Sequence, residues 1–151
     1  MSTSDDLYLI DLKPEDYRMA FTEVAFLMDS FAAAIDNIMG SVTAPVGRIA
    51  GRDTAKKLPV HLSDPTLEVV AQLLRERMCA GFDFTLEQGK LSFSTCIVRE
   101  VCALRGIETG GALCRLFHAY LDGMMDGLLY RPVKSAIIAT GAICHVELEI
   151  R

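Results

Sequence analysis

The stretch Phe82-Asp83-Phe84-Thr85-Leu86-Glu87-Gln88-Gly89-Lys90-Leu91-Ser92-Phe93-Ser94 decides the fold class. Apolar and polar residues alternate on both sides of Gln88-Gly89, which is the signature of half-buried strands joined by a tight turn. The alternation turns Phe82, Phe84 and Leu86 inward and leaves the far side wet. A second pair of such runs closes the sequence, over 133–139 and 143–150, across Thr140-Gly141. In the last run Cys144, Val146, Leu148 and Ile150 share one face, and His145, Glu147, Glu149 and Arg151 share the other.

Helical patterns fill the remainder. Pro14-Glu15-Asp16 predicts a helix start, because proline suits the first turn and acids suit its positive end. Phe21, Val24, Ala25, Met28, Phe31 and Ala32 continue this helix as a core stripe to about Met39, where Gly40 stops it. The small-residue patch 32–34 leaves open a dimer-forming or pocket-lining role. A second helix is predicted over 44–58. Its Gly47 and Gly51, four apart, allow close approach of another backbone; tight helix packing and an anion site are the two readings. No Gly-Lys-Ser/Thr follows, so it is not a Walker loop. Ser63-Asp64-Pro65 reads as a cap before a helix over about 65–79. Residues 96–105 read as helical or irregular, and 112–129 as a strong helix. Residues 7–12 read as a first strand or an extended arm. The expected architecture is α+β: an antiparallel sheet of about four strands with helices packed on one face. It forms a single domain over 1–151, with an N-terminal helical extension over about 1–42.

Composition narrows the function classes. The 151 residues are 51% hydrophobic and 23% charged, which predicts a folded chain. Net charge is −5, so no basic surplus exists to neutralise nucleic-acid phosphates or to anchor on an acidic membrane. The start, Met1 to Asp6, is polar and acidic, unlike a secretory signal. The apolar stretch 19–39 carries Glu23, Asp29 and Asp36, which argues against a membrane span. A cytoplasmic location is expected. The mean hydropathy of +0.30 predicts that some apolar surface meets a partner subunit or a ligand.

Cysteines carry the clearest chemical signal. Cys96, Cys102, Cys114 and Cys144 fall in the last third of the chain. Cys96 closes the first hairpin, Cys102 follows within two turns, Cys114 opens the long helix and Cys144 opens the last strand. Four thiolates at one point suit tetrahedral zinc or an iron–sulfur cluster. The spacing is no Cys-x-x-Cys knuckle, and buried core thiols are the alternative. His118 lies four residues after Cys114 on one helical face and is a further candidate ligand. Cys79 reads as a core thiol. Asp122 and Asp126 share a helical face and read as paired carboxylates or as a solvated surface. Phe84, Phe93, Phe117, Tyr120 and Met124 are candidates for the lining of an apolar ligand cavity, with plain core as the alternative. No hydrolase elbow or His-Glu-x-x-His motif occurs, and no catalytic residue is assigned.

Gly47-Arg48-Ile49-Ala50-Gly51-Arg52, followed by Ala55-Lys56-Lys57-Leu58, resembles the early helix of the 4-vinyl-reductase-like domain, also called the hydrocarbon-binding domain. Cys114, Tyr120-Leu121-Asp122-Gly123, Tyr130-Arg131-Pro132 and Gly141-Ala142-Ile143-Cys144-His145-Val146-Glu147 are similar to that family's C-terminal order. The resemblance spans roughly 47–150. It implies an α+β domain related to the vesicle-tethering TRAPP subunits, one that forms homodimers and binds small hydrophobic molecules. In aromatic-sensing transcription activators such a domain holds zinc beside the ligand pocket, through a helix-opening Cys, a Glu-x-x-Cys in the last hairpin and a final Cys. Cys114 and Cys144 match the first and last positions. Residues 136–140 supply neither the Glu nor the middle Cys, so a metal here requires Cys96 and Cys102, with His118 as a further ligand. The chain shows no DNA-binding or ATPase module of the kind those activators carry. The expected function is a dimeric sensor or carrier of a small apolar ligand with a cysteine-held zinc. Two alternatives remain open: an iron–sulfur subunit of a reductase or biosynthetic enzyme, and a metal-free dimeric interaction subunit.

Overall fold

The computed structural model describes residues 13–40, 42–79 and 81–151; the strand or arm expected over 7–12 lies outside them. The elements run α1 (Pro14–Met39), α2 (Thr43–Lys57), α3 (Leu67–Arg77), β1 (Phe82–Glu87), β2 (Lys90–Cys96), α4 (Ile97–Arg105), α5 (Ala112–Leu129), β3 (Val133–Ala139) and β4 (Cys144–Ile150). The four strands form one antiparallel sheet in the order β1-β2-β4-β3, so the α+β reading holds. Gln88 and Gly89 both take positive φ, 51° and 74°, as a two-residue hairpin turn matched to strand twist requires. The two hairpins join through β2 and β4, which places Leu91 opposite Val146 and Phe93 opposite Cys144. The inward faces bury Phe84, Leu91, Phe93 and Val146 against Leu74, Leu121 and Met125.

Helix α1 starts at Pro14 and ends where Gly40 turns left-handed at φ 71°. Its expected core stripe is a correction. Only Ala25 and Ala32 are buried, whereas Phe21, Val24, Met28 and Phe31 stay exposed. The helix lies across the rest of the chain and is covered on one side alone. The start of α3 is a second correction. Thr66, rather than Ser63, is the N-cap, and its hydroxyl accepts from the Val69 amide at 3.3 Å. Asp64 instead takes a turn conformation at φ 50°. Cys79 is the third. The helix closes at Arg77, and the following turn leaves that thiol exposed rather than in the core.

The most extensive contact in the fold joins α2 to α5. A Cβ on Gly51 would lie 2.0 Å from the Tyr120 carbonyl oxygen, and one on Gly123 would lie 2.1 Å from that of Arg48. Gly47 faces Ala119, and Gly127 faces Ala55. The paired positions advance together along both helices, so α2 and α5 run in the same direction. Small residues at every fourth position on each let the backbones touch. The two glycines at 47 and 51 thus serve tight helix packing.

Gly51→Ala or Gly123→Ala gains about 1 kcal/mol of helix propensity. The new methyl overlaps a backbone carbonyl that has no room to move. A net loss of about 2 kcal/mol or more is expected, read as a lower urea midpoint. Wild-type stability in Gly51→Ala would contradict this packing.

Candidate functional site

Helix α1 spans the α2–α5 pair and, with α4 and the start of β1, borders a half-open cavity of about 410 Å³. Phe21, Val24 and Met28 of α1 form one wall, and Ala50, Phe82 and Phe117 face them. The Phe82 and Phe117 rings stack at 4.7 Å. Tyr120 lends its ring, while its hydroxyl hydrogen-bonds Thr54 Oγ1 at 3.0 Å. The walls therefore present only apolar surface. Of the residues expected to line such a cavity, Phe117 and Tyr120 do so. Phe84, Phe93 and Met124 lie in the sheet–helix core, where Phe84 and Phe93 are direct cross-strand neighbours with rings 5.0 Å apart. The α1 wall is formed by Phe21, Val24 and Met28 rather than by the small-residue patch 32–34 on which the pocket-lining alternative for this helix rested. Its periodicity is the same for a helix that roofs a cavity as for one that fills a core.

Polar ties hold this roof. Asp36 of α1 accepts from the Thr43 hydroxyl and, at 3.1 Å, from the Thr43 amide at the start of α2. Its other oxygen accepts from Arg115 of α5 at 3.3 Å. The Thr43 hydroxyl bond, seconded by the amide, holds the Asp36 carboxyl below its ordinary pKa. Glu23 pairs with Arg105 of α4, whose guanidinium also lies over the Phe26 ring at 5.2 Å.

A second, much smaller cavity of about 10 Å³, room for one water-sized atom, is bordered by Cys96, Cys114, Cys144 and His118. The sheet register explains this meeting: Cys144 opposes Phe93, and Cys96 ends the same strand. The Cys102 thiol lies one step behind, in a separate buried cluster against which Cys114 packs. Burial pushes the Cys96 thiol up, and it pushes Cys102 up to about 12 with Cys114 adding to the shift. Arg99 Nη1 stands 3.6 Å from Cys144 Sγ, where a ligand ion would otherwise approach. Among the described residues no three His, Cys, Asp or Glu side chains are arranged to hold a metal. As placed, the thiols neighbour one another without forming a ligand set.

His118 is buried, with its ring edge-on to Phe93 and Phe117. Its Nδ1 has no hydrogen-bond partner among the described residues. Burial lowers its pKa to about 4, so the ring is neutral at pH 7. His145 points from the opposite face of β4 and bonds Ser92 at 3.0 Å. Asp122 and Asp126 part company. Asp126 pairs with Arg52 at 3.1 Å, whereas Asp122 is 3% exposed and accepts from the Ser135 amide of β3 at 3.0 Å. Asp122 is therefore no solvated surface carboxylate; its neighbours Leu121 and Met125 are buried with it.

No protein-family model matches the chain, and no curated protein matches it. Among the described residues no helix is long and apolar enough to cross a membrane.

The unfolded chain binds a proton at His118 near pH 6.5, and the folded chain does so only near pH 4. Stability is therefore complete above pH 6.5 and falls as pH drops towards 4, by up to about 3 kcal/mol from this group. Urea titrations across that window should show a shallower acid slope for His118→Gln than for the parent. Equal slopes would contradict a buried neutral imidazole.

Proposed function

We propose that this chain binds a small, neutral, apolar molecule in the cavity beneath α1, as a sensor or carrier domain. The observation that carries the reading is the cavity itself: about 410 Å³, within the size range of small-molecule sites (roughly 300–1,000 Å³), with no polar group on its walls. Water gains no hydrogen bonds there, and wall atoms facing a void lose dispersion contacts that an apolar ligand restores. The cavity is partly open to solvent, and the ties of Asp36 and Glu23 hold α1 in place as its wall.

The same helix supports the dimer. Phe31 is 61% exposed and Ile38 is 82% exposed on its outer side, an apolar stripe that a second copy of α1 would cover. Zinc at the thiols is an added element of the proposal. Cys96, Cys114, Cys144 and His118 would have to turn towards one point and the thiols lose their protons, with Cys102 in reserve behind Cys114. Bound there, the metal would cross-link β2, β4 and α5. An iron–sulfur cluster would draw on the same thiols.

The neutral fluorophore N-phenyl-1-naphthylamine tests the cavity. Saturable binding is expected, and Ala50→Phe, which fills the cavity, should weaken it by about tenfold or more, roughly 1.4 kcal/mol. Binding that ignores Ala50→Phe overturns the assignment. Metal analysis and an absorbance spectrum on the same sample decide between zinc, a cluster and neither. For the dimer, sedimentation equilibrium should give twice the chain mass for the parent and the monomer mass for the Phe31→Glu, Ile38→Glu double variant; a monomeric parent would remove the dimer from the reading.

A further inference from the structure

Three buried side-chain atoms lack a hydrogen-bond partner among the described residues: Arg48 Nε, His118 Nδ1 and Asp122 Oδ1. All three belong to residues bordering a single crevice of about 340 Å³ between α2, α5 and β3. Buried polar groups are seldom left unpaired, and three such groups at one opening call for an occupant. The crevice lies on the flank of the α2–α5 pair opposite the apolar cavity, with Arg48, His118 and Asp122 turned to it in place of Ala50 and Phe117. It stands independently of the function proposed above.

The donor set defines the occupant. Arg115 at the rim is already engaged by Asp36 at 3.3 Å. Arg48 and Lys134 make no ion pair within bonding distance among the described residues; both act on the Asp122 carboxylate from farther off, and two cations against one acid favour an oxyanion. Asp122 opposes that choice unless the ligand brings a proton. Its Oδ2 is held by the Ser135 amide at 3.0 Å, which leaves Oδ1, on a residue more than nine-tenths buried, as a fixed acceptor. An oxyanion without a donor meets a buried carboxylate and is repelled. One that carries its own hydroxyl turns the same oxygen into a hydrogen-bond partner.

We propose that Arg48, Lys134 and Asp122 form a binding site for a small oxyanion bearing a hydroxyl group, the chemistry shared by hydrogen phosphate and hydroxycarboxylates. The cations take the charged oxygens, and Asp122 Oδ1 accepts the hydroxyl proton's hydrogen bond.

Inorganic phosphate and sulfate separate this site from a merely basic patch, because at about pH 8 both are chiefly dianions and only phosphate keeps a hydroxyl. Amide and imidazole NMR shifts are followed while each salt is titrated into the full chain. Phosphate should give saturable shifts at Ser135 and His118, with an affinity about tenfold or more above sulfate. Asp122→Asn, which keeps an acceptor for Ser135, should abolish the preference by raising sulfate binding. Lys134→Gln, at an exposed position, should weaken phosphate and leave the fold intact, so the proposal stays testable if the Asp122 variant does not fold. Absence of saturable shifts, or equal response to the two salts in the parent chain, overturns the proposal and leaves a water-filled crevice.

Discussion

Everything in this fold is arranged around the backbone contact between α2 and α5. Gly51 and Gly123 sit where any side chain would strike a carbonyl oxygen of the other helix. Close approach at that depth is possible only over a few turns, and small residues at every fourth position keep it continuous. The pair forms a thin, rigid wall. Because the helices are nearly bare where they meet, their larger side chains project to the flanks. On one flank these are Ala50, Leu116, Phe117 and Tyr120; on the other they are Arg48, His118 and Asp122. An apolar space and a polar one therefore lie back to back, separated by two backbones.

Helix α5 links the three cavities through consecutive residues. Phe117 borders the apolar cavity and the thiol cavity, and His118 borders the thiol cavity and the polar crevice. The two rings touch, edge to face, at 5.2 Å. A ligand that displaces Phe117 thus presses on His118, a neutral ring with an unmade hydrogen bond. Coupling between the spaces needs no large movement, only a shared pair of aromatic side chains.

The hairpins, the long helix 112–129 and the α+β class were legible because period-two and period-3.6 patterns are local properties of the chain. Gln88-Gly89 and Gly40 announced their turns for the same reason. The close contact of Gly47 and Gly51 was legible as a possibility, but its partners Ala119 and Gly123 lie seventy-two residues away, and local pattern does not pair distant segments. The burial of Asp122 was hidden in the same way. Its spacing on α5 reads equally as surface, and only the arrival of β3 from the following segment covers it. Arg115, His118 and Asp122 do follow one helical stripe, a signal that read with Arg48 would have pointed to the polar crevice. The cysteines were half legible. The sheet register brings Cys96 near Cys144, while Cys102 falls on the far side of α4 in a cluster of its own.

The Asp122–Ser135 bond has a bearing on the outer rim of the sheet. Strand β3 ends the order β1-β2-β4-β3 and so carries a row of amides and carbonyls with no neighbouring strand among the described residues. Such a border invites strands from other molecules to add on, the first step of aggregation. The carboxylate reaching down from α5 takes up one of those free amides at the middle of the strand. A foreign strand would have to break that bond to dock in register. Pro132 stands just before the strand, and a proline there has no amide to offer. The acid that orders the crevice therefore also guards the border of the sheet against its own kind.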